Sequence, residues 1–202
     1  MFKLHYAPKS RAMRIVWLLE ELGLPYELIS YDLGGQNMRS ATFRQLNPMG
    51  RVPVLEDGDV CLNESGAIVE YVLARYADGR LRPAVDAPEF PTYLQWLHYC
   101  EGMLMPPINS YMVETFFLPP ERQSPEHAKR AKKLLGHMLR PLNALFEKQD
   151  FLVGEFTAAD IMTGHAAVSA QLIGVEMVEM PALEKYLARL ASRPAFQKAL
   201  AA

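Results

Sequence analysis

The stretch NPMGRVPVLEDGDVCLNESGAIVEY, which begins at Asn47, constrains the fold of this chain more than any other part of the sequence. Two short apolar runs, Val52–Glu56 and Val60–Leu62, flank the dipeptide Asp57-Gly58. That dipeptide suits a type I′ turn, so the runs are predicted to pair as a β-hairpin. A helical pattern follows directly, and the stretch therefore predicts strand, turn, strand and helix in immediate succession.

The two ends of this hairpin predict a binding site. Pro53 cannot donate to a sheet ladder and marks an edge or special position, where Val52 is able to offer its backbone to a peptide-like ligand. Glu64-Ser65 stands where the helix begins and brings together a carboxylate, a hydroxyl and free N–H groups. Such a set of groups suits the head group of an α-amino acid.

The first part of the chain alternates between strand and helix patterns. Apolar positions recur at helical spacing after Ser10, and Gly23 is placed to end that helix. The predicted elements, in order, are a strand over Phe2–Tyr6, the helix after Ser10, a strand over Tyr26–Tyr31, a weak helix over Met38–Leu46, the hairpin, and a helix over Ser65–Ala77. This order is that of a thioredoxin-like domain, predicted over residues 1–78.

Beyond Asp78 the strand patterns disappear. Residues 79–90 are predicted as a linker, and residues 91–202 as an all-α helical bundle domain. A long helix is predicted over Tyr93–Phe117, with Pro106-Pro107 expected to kink or break it. The other predicted helices are Glu126–Gln149, one starting at Thr157 with Asp160 in a capping box, Ala182–Leu190 and Ala195–Ala201.

Composition excludes several classes of protein. The 202 residues carry a net charge of −2, which gives no electrostatic reason to expect nucleic acid or a membrane as partner. The chain lacks an apolar run of membrane-spanning length and a signal peptide pattern. Cys61 and Cys100 form no disulfide framework, and the five histidines show no metal-binding spacing. We therefore expect a cytoplasmic protein with reduced thiols and no metal.

Three motifs in this order resemble the glutathione transferase family. They are Asn47-Pro48 through Val52-Pro53, then Glu64-Ser65, then the segment with Gly154, Thr157 and Asp160; the first helix, SRAMRIVWLLEELGLPYE, is also typical. The resemblance covers the whole chain and is to bacterial, cytosolic, serine-type theta- or beta-like members. It implies an enzyme of detoxification that conjugates glutathione, its co-substrate, to small hydrophobic electrophiles, and it implies a homodimer.

Two residues are candidates for activating the glutathione thiol. Ser10 follows the first strand and precedes Arg14 by four residues, the spacing of the serine-type branches. A hydroxyl at a helix start both donates to a sulfur and benefits from the helix dipole. Tyr6, at the end of the first strand, is the alternative, since tyrosine-type branches keep their catalytic phenol there. A cysteine-type site is disfavoured because neither cysteine lies near the first helix.

The resemblance also implies the glutathione-binding residues. Ser65 is expected to bind the γ-glutamyl carboxylate, Glu64 its ammonium group, and Val52 the cysteinyl backbone, with Pro53 in the cis form. Arg51 is expected to reach the glycyl carboxylate. Asn37 or Arg39 is the alternative, although Arg39 is better explained as a solvated charge at a helix start.

The electrophile pocket is expected on the helix that carries Pro106-Pro107. The candidate residues are Met103, Tyr111, Met112 and Phe116, among which Tyr111 has a hydroxyl able to polarise an electrophile. A stripe of methionine and aromatic residues at helical spacing more often belongs to an ordinary core.

Two alternatives to conjugation stay open. One keeps glutathione chemistry but uses it for peroxide reduction, dehalogenation or isomerisation; the other is a non-catalytic binding protein on the same fold. Proteins of the second kind tend to lose parts of the ligand site, so the presence of Val52-Pro53 and Glu64-Ser65 argues against it.

Overall fold

The structure, a computed structural model, describes residues 1–177 and 179–202. They form two compact units, Met1–Arg82 together with Ala191–Ala202, and Pro83–Leu190. The first unit is an α/β thioredoxin-like domain and the second is helical, which confirms the predicted fold class. The last twelve residues group with the first unit, whereas the sequence analysis placed all of residues 91–202 in the helical domain.

The elements are four strands and ten α-helices among the described residues. The strands are β1 Phe2–Tyr6, β2 Tyr26–Ser30, β3 Val54–Asp57 and β4 Val60–Asn63. The helices are α1 Met13–Leu22, α2 Gln36–Arg39, α3 Ala41–Leu46, α4 Ser65–Tyr76, α5 Phe90–Tyr99, α6 Met105–Met112, α7 Pro125–Phe146, α8 Ala158–Leu172, α9 Pro181–Ala191 and α10 Pro194–Ala201.

The sheet has the strand order β2-β1-β3-β4. β1 runs parallel to β2 and antiparallel to β3, and β3 is antiparallel to β4. The predicted hairpin is confirmed, but its turn differs from the predicted type. Asp57 pairs with Val60, so the loop is Gly58-Asp59, and Gly58 has a φ of 59° at the first loop position. A glycine in that position is typical of a type II′ turn.

Helix α1 lies between the sheet and the C-terminal segment. It ends at Gly23, whose φ of 67° provides the left-handed cap that the sequence predicts. The Trp17 ring contacts the Phe196 ring of α10 edge-on, at 4.8 Å between centroids. Arg193 donates to both carboxylate oxygens of Glu21, at 2.6 and 2.8 Å. These contacts explain why residues 191–202 belong to the first unit.

The predicted helix Met38–Leu46 is instead two short helices that meet at Ser40. The Ser40 hydroxyl accepts a hydrogen bond of 3.2 Å from the Phe43 N–H and so caps the second helix. Serine favours such a cap over a place inside a helix, because its side chain competes for backbone N–H groups. Met38 and Phe43 pack with Val54, which anchors both short helices to the sheet.

The diproline at Pro106-Pro107 does not break its helix. Helical backbone continues from Phe90 to Phe117, with π-type turns over Cys100–Leu104 and Val113–Phe117. In the first π-type turn the Met105 N–H bonds to the Cys100 carbonyl, and the prolines then occupy the first turn of α6. The π-type turn changes the hydrogen-bond register just before the prolines, so the helical backbone reaches them without an N–H from either one.

The capping box at the start of α8 is confirmed. The Asp160 carboxylate is fully buried and accepts hydrogen bonds from the N–H groups of Leu152 and Thr157, at 3.0 and 2.9 Å, and from the Tyr186 hydroxyl at 3.0 Å. Burial raises the pKa of Asp160 to about 6, although these donors act in the opposite direction. Both Thr157 and Asp160 therefore serve folding, as the sequence analysis expected.

None of the helices in the described part of the chain is both long and apolar enough to cross a membrane.

Candidate functional site

The strand register brings the predicted site segments to one end of the sheet. His5 of β1 pairs with Val54 of β3, and Val54 pairs with Asn63 of β4. Each segment of interest adjoins one of these paired residues along the chain. Tyr6 follows His5, Val52-Pro53 precedes Val54, and Glu64-Ser65 follows Asn63. The motifs that stand apart in the sequence are therefore neighbours in the fold.

The Asn47 side chain fixes the backbone of the loop before β3 by two hydrogen bonds. The buried Asn47 side chain donates to the Arg51 carbonyl at 2.7 Å and accepts from the Met49 N–H at 3.0 Å. Gly50 has a φ of 63°, and a Cβ there would lie 2.7 Å from the Met38 carbonyl oxygen, so the position requires glycine. The loop delivers Val52-Pro53, whose peptide bond is cis as predicted.

The start of α4 leaves several donors without intrahelical partners. Its first helical hydrogen bond runs from the Ile68 N–H to the Glu64 carbonyl at 3.0 Å. The N–H groups of Ser65, Gly66 and Ala67 therefore have no carbonyl within the helix. Glu64 has a φ of 71°, unusual for a residue with a side chain, and its carboxylate is exposed. The Ser65 side chain is buried.

Ser10 lies in the turn before α1 and not in the helix itself. Its hydroxyl donates to the Ala7 carbonyl at 2.7 Å and accepts from the Ala12 N–H at 3.2 Å. The residue is 9% exposed, so the hydroxyl lies just below the surface. The α-helix begins only at Met13.

Tyr6, the alternative to Ser10, is buried at the end of β1. Phe2, Leu4 and Tyr6 share one face of the strand, since side chains alternate along it. Burial raises the pKa of the Tyr6 phenol, which keeps it protonated and therefore a hydrogen-bond donor. Both candidates for thiol activation thus lie at the end of the sheet where Val52-Pro53 and Glu64-Ser65 come together.

Arg14 is a site residue whose role sequence reasoning missed. It is fully buried in α1, and its guanidinium donates to the Ser65 hydroxyl oxygen over 3.0 Å between Nη1 and Oγ. In the sequence, Arg14 stands out only by its spacing of four residues from Ser10. An arginine among the apolar residues of α1 was the available signal, because arginine is almost never fully buried without partners.

The other predicted glutathione-binding residues surround this end of the sheet at the surface. Arg51 is exposed in the loop before the cis peptide bond, and Arg39 and Asn37 are exposed on α2. Their roles stay predictions.

The predicted electrophile residues do not all line one groove, and their role stays a prediction. Met103 lines a groove of about 380 Å³ with Pro106 and Pro107 on one side and Leu134 of α7 on the other. Met112, nine residues further along the chain, does not line this groove. Tyr111 is covered by Lys132, whose Nζ lies 4.9 Å from the ring centroid, and Phe116 is 68% exposed.

The cysteines do not form a reactive site. Cys61 lies on β4 opposite Glu56, and partial burial together with that carboxylate raises the pKa of its thiol. Cys100 is buried in the helical unit. Within residues 1–177 and 179–202 no three histidine, cysteine or acidic side chains are grouped so as to hold a metal ion.

Sequence comparison agrees with this geometry. The family model of the glutathione S-transferase N-terminal domain matches residues 1–74, and that of the C-terminal domain matches residues 104–194. The chain belongs to the glutathione S-transferase family. The predicted family is thereby confirmed.

Individual family members are similar over nearly the whole chain. Glutathione S-transferase 3 of Schizosaccharomyces pombe is 29% identical over 206 residues, which cover 96% of this chain and 85% of that protein. A glutathione S-transferase of Hyoscyamus muticus is 30% identical over 207 residues, covering 98% and 97%. Among solved structures, the glutathione transferase URE2P6 of Phanerochaete chrysosporium, crystallised with oxidized glutathione, has a TM-score of 0.86 at 29% identity and covers 98% of this chain and 94% of that one.

Proposed function

We propose that this protein is an enzyme that conjugates the thiolate of glutathione to small hydrophobic electrophiles. The observation that carries the proposal is the meeting of three elements at one end of the sheet: the cis Val52-Pro53 segment, the donor-rich start of α4, and the turn with Ser10. The solved relative URE2P6 was crystallised with oxidized glutathione, which supports the same tripeptide as ligand here.

Each part of glutathione has a counterpart in this arrangement. The γ-glutamyl carboxylate is expected at the N–H groups of Ser65 and Gly66 and at the Ser65 hydroxyl, and the ammonium group at the exposed Glu64 carboxylate. The backbone of Val52 pairs with the cysteinyl residue as an added strand does. Arg51 and Arg39 are the cations for the glycyl carboxylate.

The chemistry requires a thiolate. A free thiol has a pKa near 8.5, and lowering it by about two units requires roughly 2.7 kcal/mol of preferential thiolate stabilisation. Ser10 is our first candidate for a donor to the sulfur. Its hydroxyl proton points at the Ala7 carbonyl, so the O–H must rotate toward the sulfur when glutathione binds. Tyr6 is the alternative, as a phenol held protonated by burial.

Conjugation then needs no further reactant. With a nitroaryl halide, the sulfur forms a bond to the ring carbon, the carbon–halogen bond breaks, and halide departs with its electron pair. The thiol proton passes to solvent when the thiolate forms. Met103, Tyr111, Met112 and Phe116 are our candidates for contact with the apolar electrophile.

The deciding experiment is an ultraviolet titration of the thiolate of bound glutathione in wild type, Ser10→Ala and Tyr6→Phe. A pKa well below 8.5 that returns toward the free value in Ser10→Ala assigns the donor to Ser10. A pKa restored only by Tyr6→Phe moves that role to the phenol. No saturable glutathione binding would refute the enzyme proposal and leave a binding protein on this fold.

Activity assays separate conjugation from related glutathione chemistry. We expect turnover of a nitroaryl halide to exceed turnover of a hydroperoxide, and the reverse order would favour the peroxidase alternative. We also propose a cytoplasmic homodimer. Sedimentation equilibrium tests the dimer, which a mass of one 22.8 kDa chain would refute.

A further inference from the structure

Arg14 contacts the site without reaching its surface. Its side chain is fully buried in α1, and Nη1 lies 3.0 Å from Oγ of Ser65, 51 residues further along the chain. Burying a guanidinium costs several kcal/mol unless good hydrogen bonds compensate for the lost water. The hydrogen bond to Ser65 is therefore part of what makes a buried arginine tolerable in this apolar helix.

The contact fixes how the Ser65 hydroxyl is used. A serine hydroxyl has one proton to donate and two lone pairs that accept. Arg14 fills one lone pair, and because a guanidinium has no acceptor, the Ser65 proton must point elsewhere. The N–H groups of Ser65, Gly66 and Ala67 stand at the same helix start without intrahelical acceptors. The Ser65 O–H is therefore kept available as a donor beside them.

We propose that Arg14 is a positioning residue for the γ-glutamyl carboxylate of glutathione. It holds the Ser65 hydroxyl in its donating orientation, and its hydrogen bond polarises that hydroxyl, because successive hydrogen bonds strengthen one another. The inference rests on the proposed function, since it requires glutathione at the start of α4.

Two truncated ligands isolate the carboxylate from the ammonium group. Glutaryl-Cys-Gly keeps the carboxylate and lacks the ammonium, whereas 4-aminobutyryl-Cys-Gly keeps the ammonium and lacks the carboxylate. Their dissociation constants and that of glutathione are measured by calorimetry on wild type, Arg14→Gln, Arg14→Lys, Ser65→Ala and the double variant Arg14→Gln/Ser65→Ala. Glu64→Gln is the matched control, because its carboxylate faces the ammonium group only.

We expect Arg14→Gln to weaken glutathione and glutaryl-Cys-Gly about tenfold, the size of one hydrogen bond to a charged group. Binding of 4-aminobutyryl-Cys-Gly should not change. Glu64→Gln should show the opposite selectivity. In the Ser65→Ala background Arg14→Gln should cause almost no additional loss, because Arg14 acts through that hydroxyl.

Equal weakening of all three ligands by Arg14→Gln would overturn the inference, and so would an undiminished loss in the Ser65→Ala background. Thermal unfolding shows whether Arg14→Gln is folded. If it is not folded, Arg14→Lys, which keeps the positive charge, is measured with the same three ligands. Selective weakening of the two ligands that carry the carboxylate supports the inference, and equal weakening of all three overturns it. Failure of wild type to bind glutathione would refute the proposed function, whereas normal wild-type binding without selectivity in the variants refutes only the role of Arg14.

Discussion

Gly164 of α8 offers a sharp test of how tightly the helical unit is packed. A Cβ at this position would lie 2.4 Å from Cδ1 of Leu190 and 3.0 Å from the Tyr186 hydroxyl oxygen. Carbon atoms in contact prefer about 3.5–4.0 Å, so Leu190 would have to move by more than about 1 Å. Leu190 and Tyr186 are both fully buried, and Tyr186 also donates to Asp160. The site therefore has little freedom to adjust.

Two effects of Gly164→Ala oppose each other. Overpacking a core costs typically about 1–3 kcal/mol, whereas alanine in place of glycine inside a helix gains about 1 kcal/mol. We expect a net loss of about 1 kcal/mol in the free energy of unfolding. Gly136 of α7 is the matched control, because a Cβ there meets only Val175 at an ordinary 3.9 Å. Gly136→Ala should therefore gain about 1 kcal/mol.

The assay is thermal and urea unfolding of both variants at equal protein concentration. A difference of about 2 kcal/mol corresponds to about 4–8 °C in Tm for a chain of this size. Leu190→Val, which removes the clashing Cδ1, should reduce the cost of Gly164→Ala when the two changes are combined. If Gly164→Ala is as stable as Gly136→Ala, the packing argument is wrong.

Three further predictions concern the capping box and the helix that closes the first unit. Thr157→Ala should lower the free energy of unfolding by about 1–2 kcal/mol, whereas Thr157→Ser should stay near wild type; equal losses in urea unfolding would contradict a capping role. Because folding raises the pKa of Asp160 from 3.8 to about 6, the folded state binds its proton more tightly, and stability contributed by this group falls as pH rises from about 4 to about 6. The stability advantage of wild type over Asp160→Asn should therefore shrink by about 2 kcal/mol between pH 4 and pH 7, and a constant difference would refute the shift. Arg193→Lys should cost about 1 kcal/mol in thermal unfolding, because lysine does not reproduce the two-pronged contact with Glu21, and an unchanged Tm would show that this contact is dispensable.

Much of the fold followed from local patterns. The hairpin between β3 and β4, the glycine that ends α1 and the capping box of α8 each depend on a few adjacent residues. Local chemistry determines such features, so one sequence suffices to predict them. The cis bond at Pro53 was predicted instead from the resemblance to the family.

Features that depend on residues far apart in the chain could not be predicted from local sequence patterns. The contact of Arg14 with Ser65 joins residues 51 positions apart, and the fit of Gly164 depends on Leu190 in another helix. The effect of Pro106-Pro107 was mispredicted for a related reason. A π-type turn before Pro106 changes the hydrogen-bond register, so the missing proline N–H groups do not break the helix. Helix periodicity also grouped Met103 with Met112, although only Met103 lines the groove beside Leu134.

The grouping of α10 with the first unit has a consequence during synthesis. The ribosome makes residues 83–190 after the four strands and before the segment that carries Phe196. At about 5–20 residues per second this interval lasts about 5–20 s. During this interval Trp17 of α1 lacks its packing contact with Phe196. The core of the first unit is therefore incomplete in the nascent chain until α10 has been synthesised.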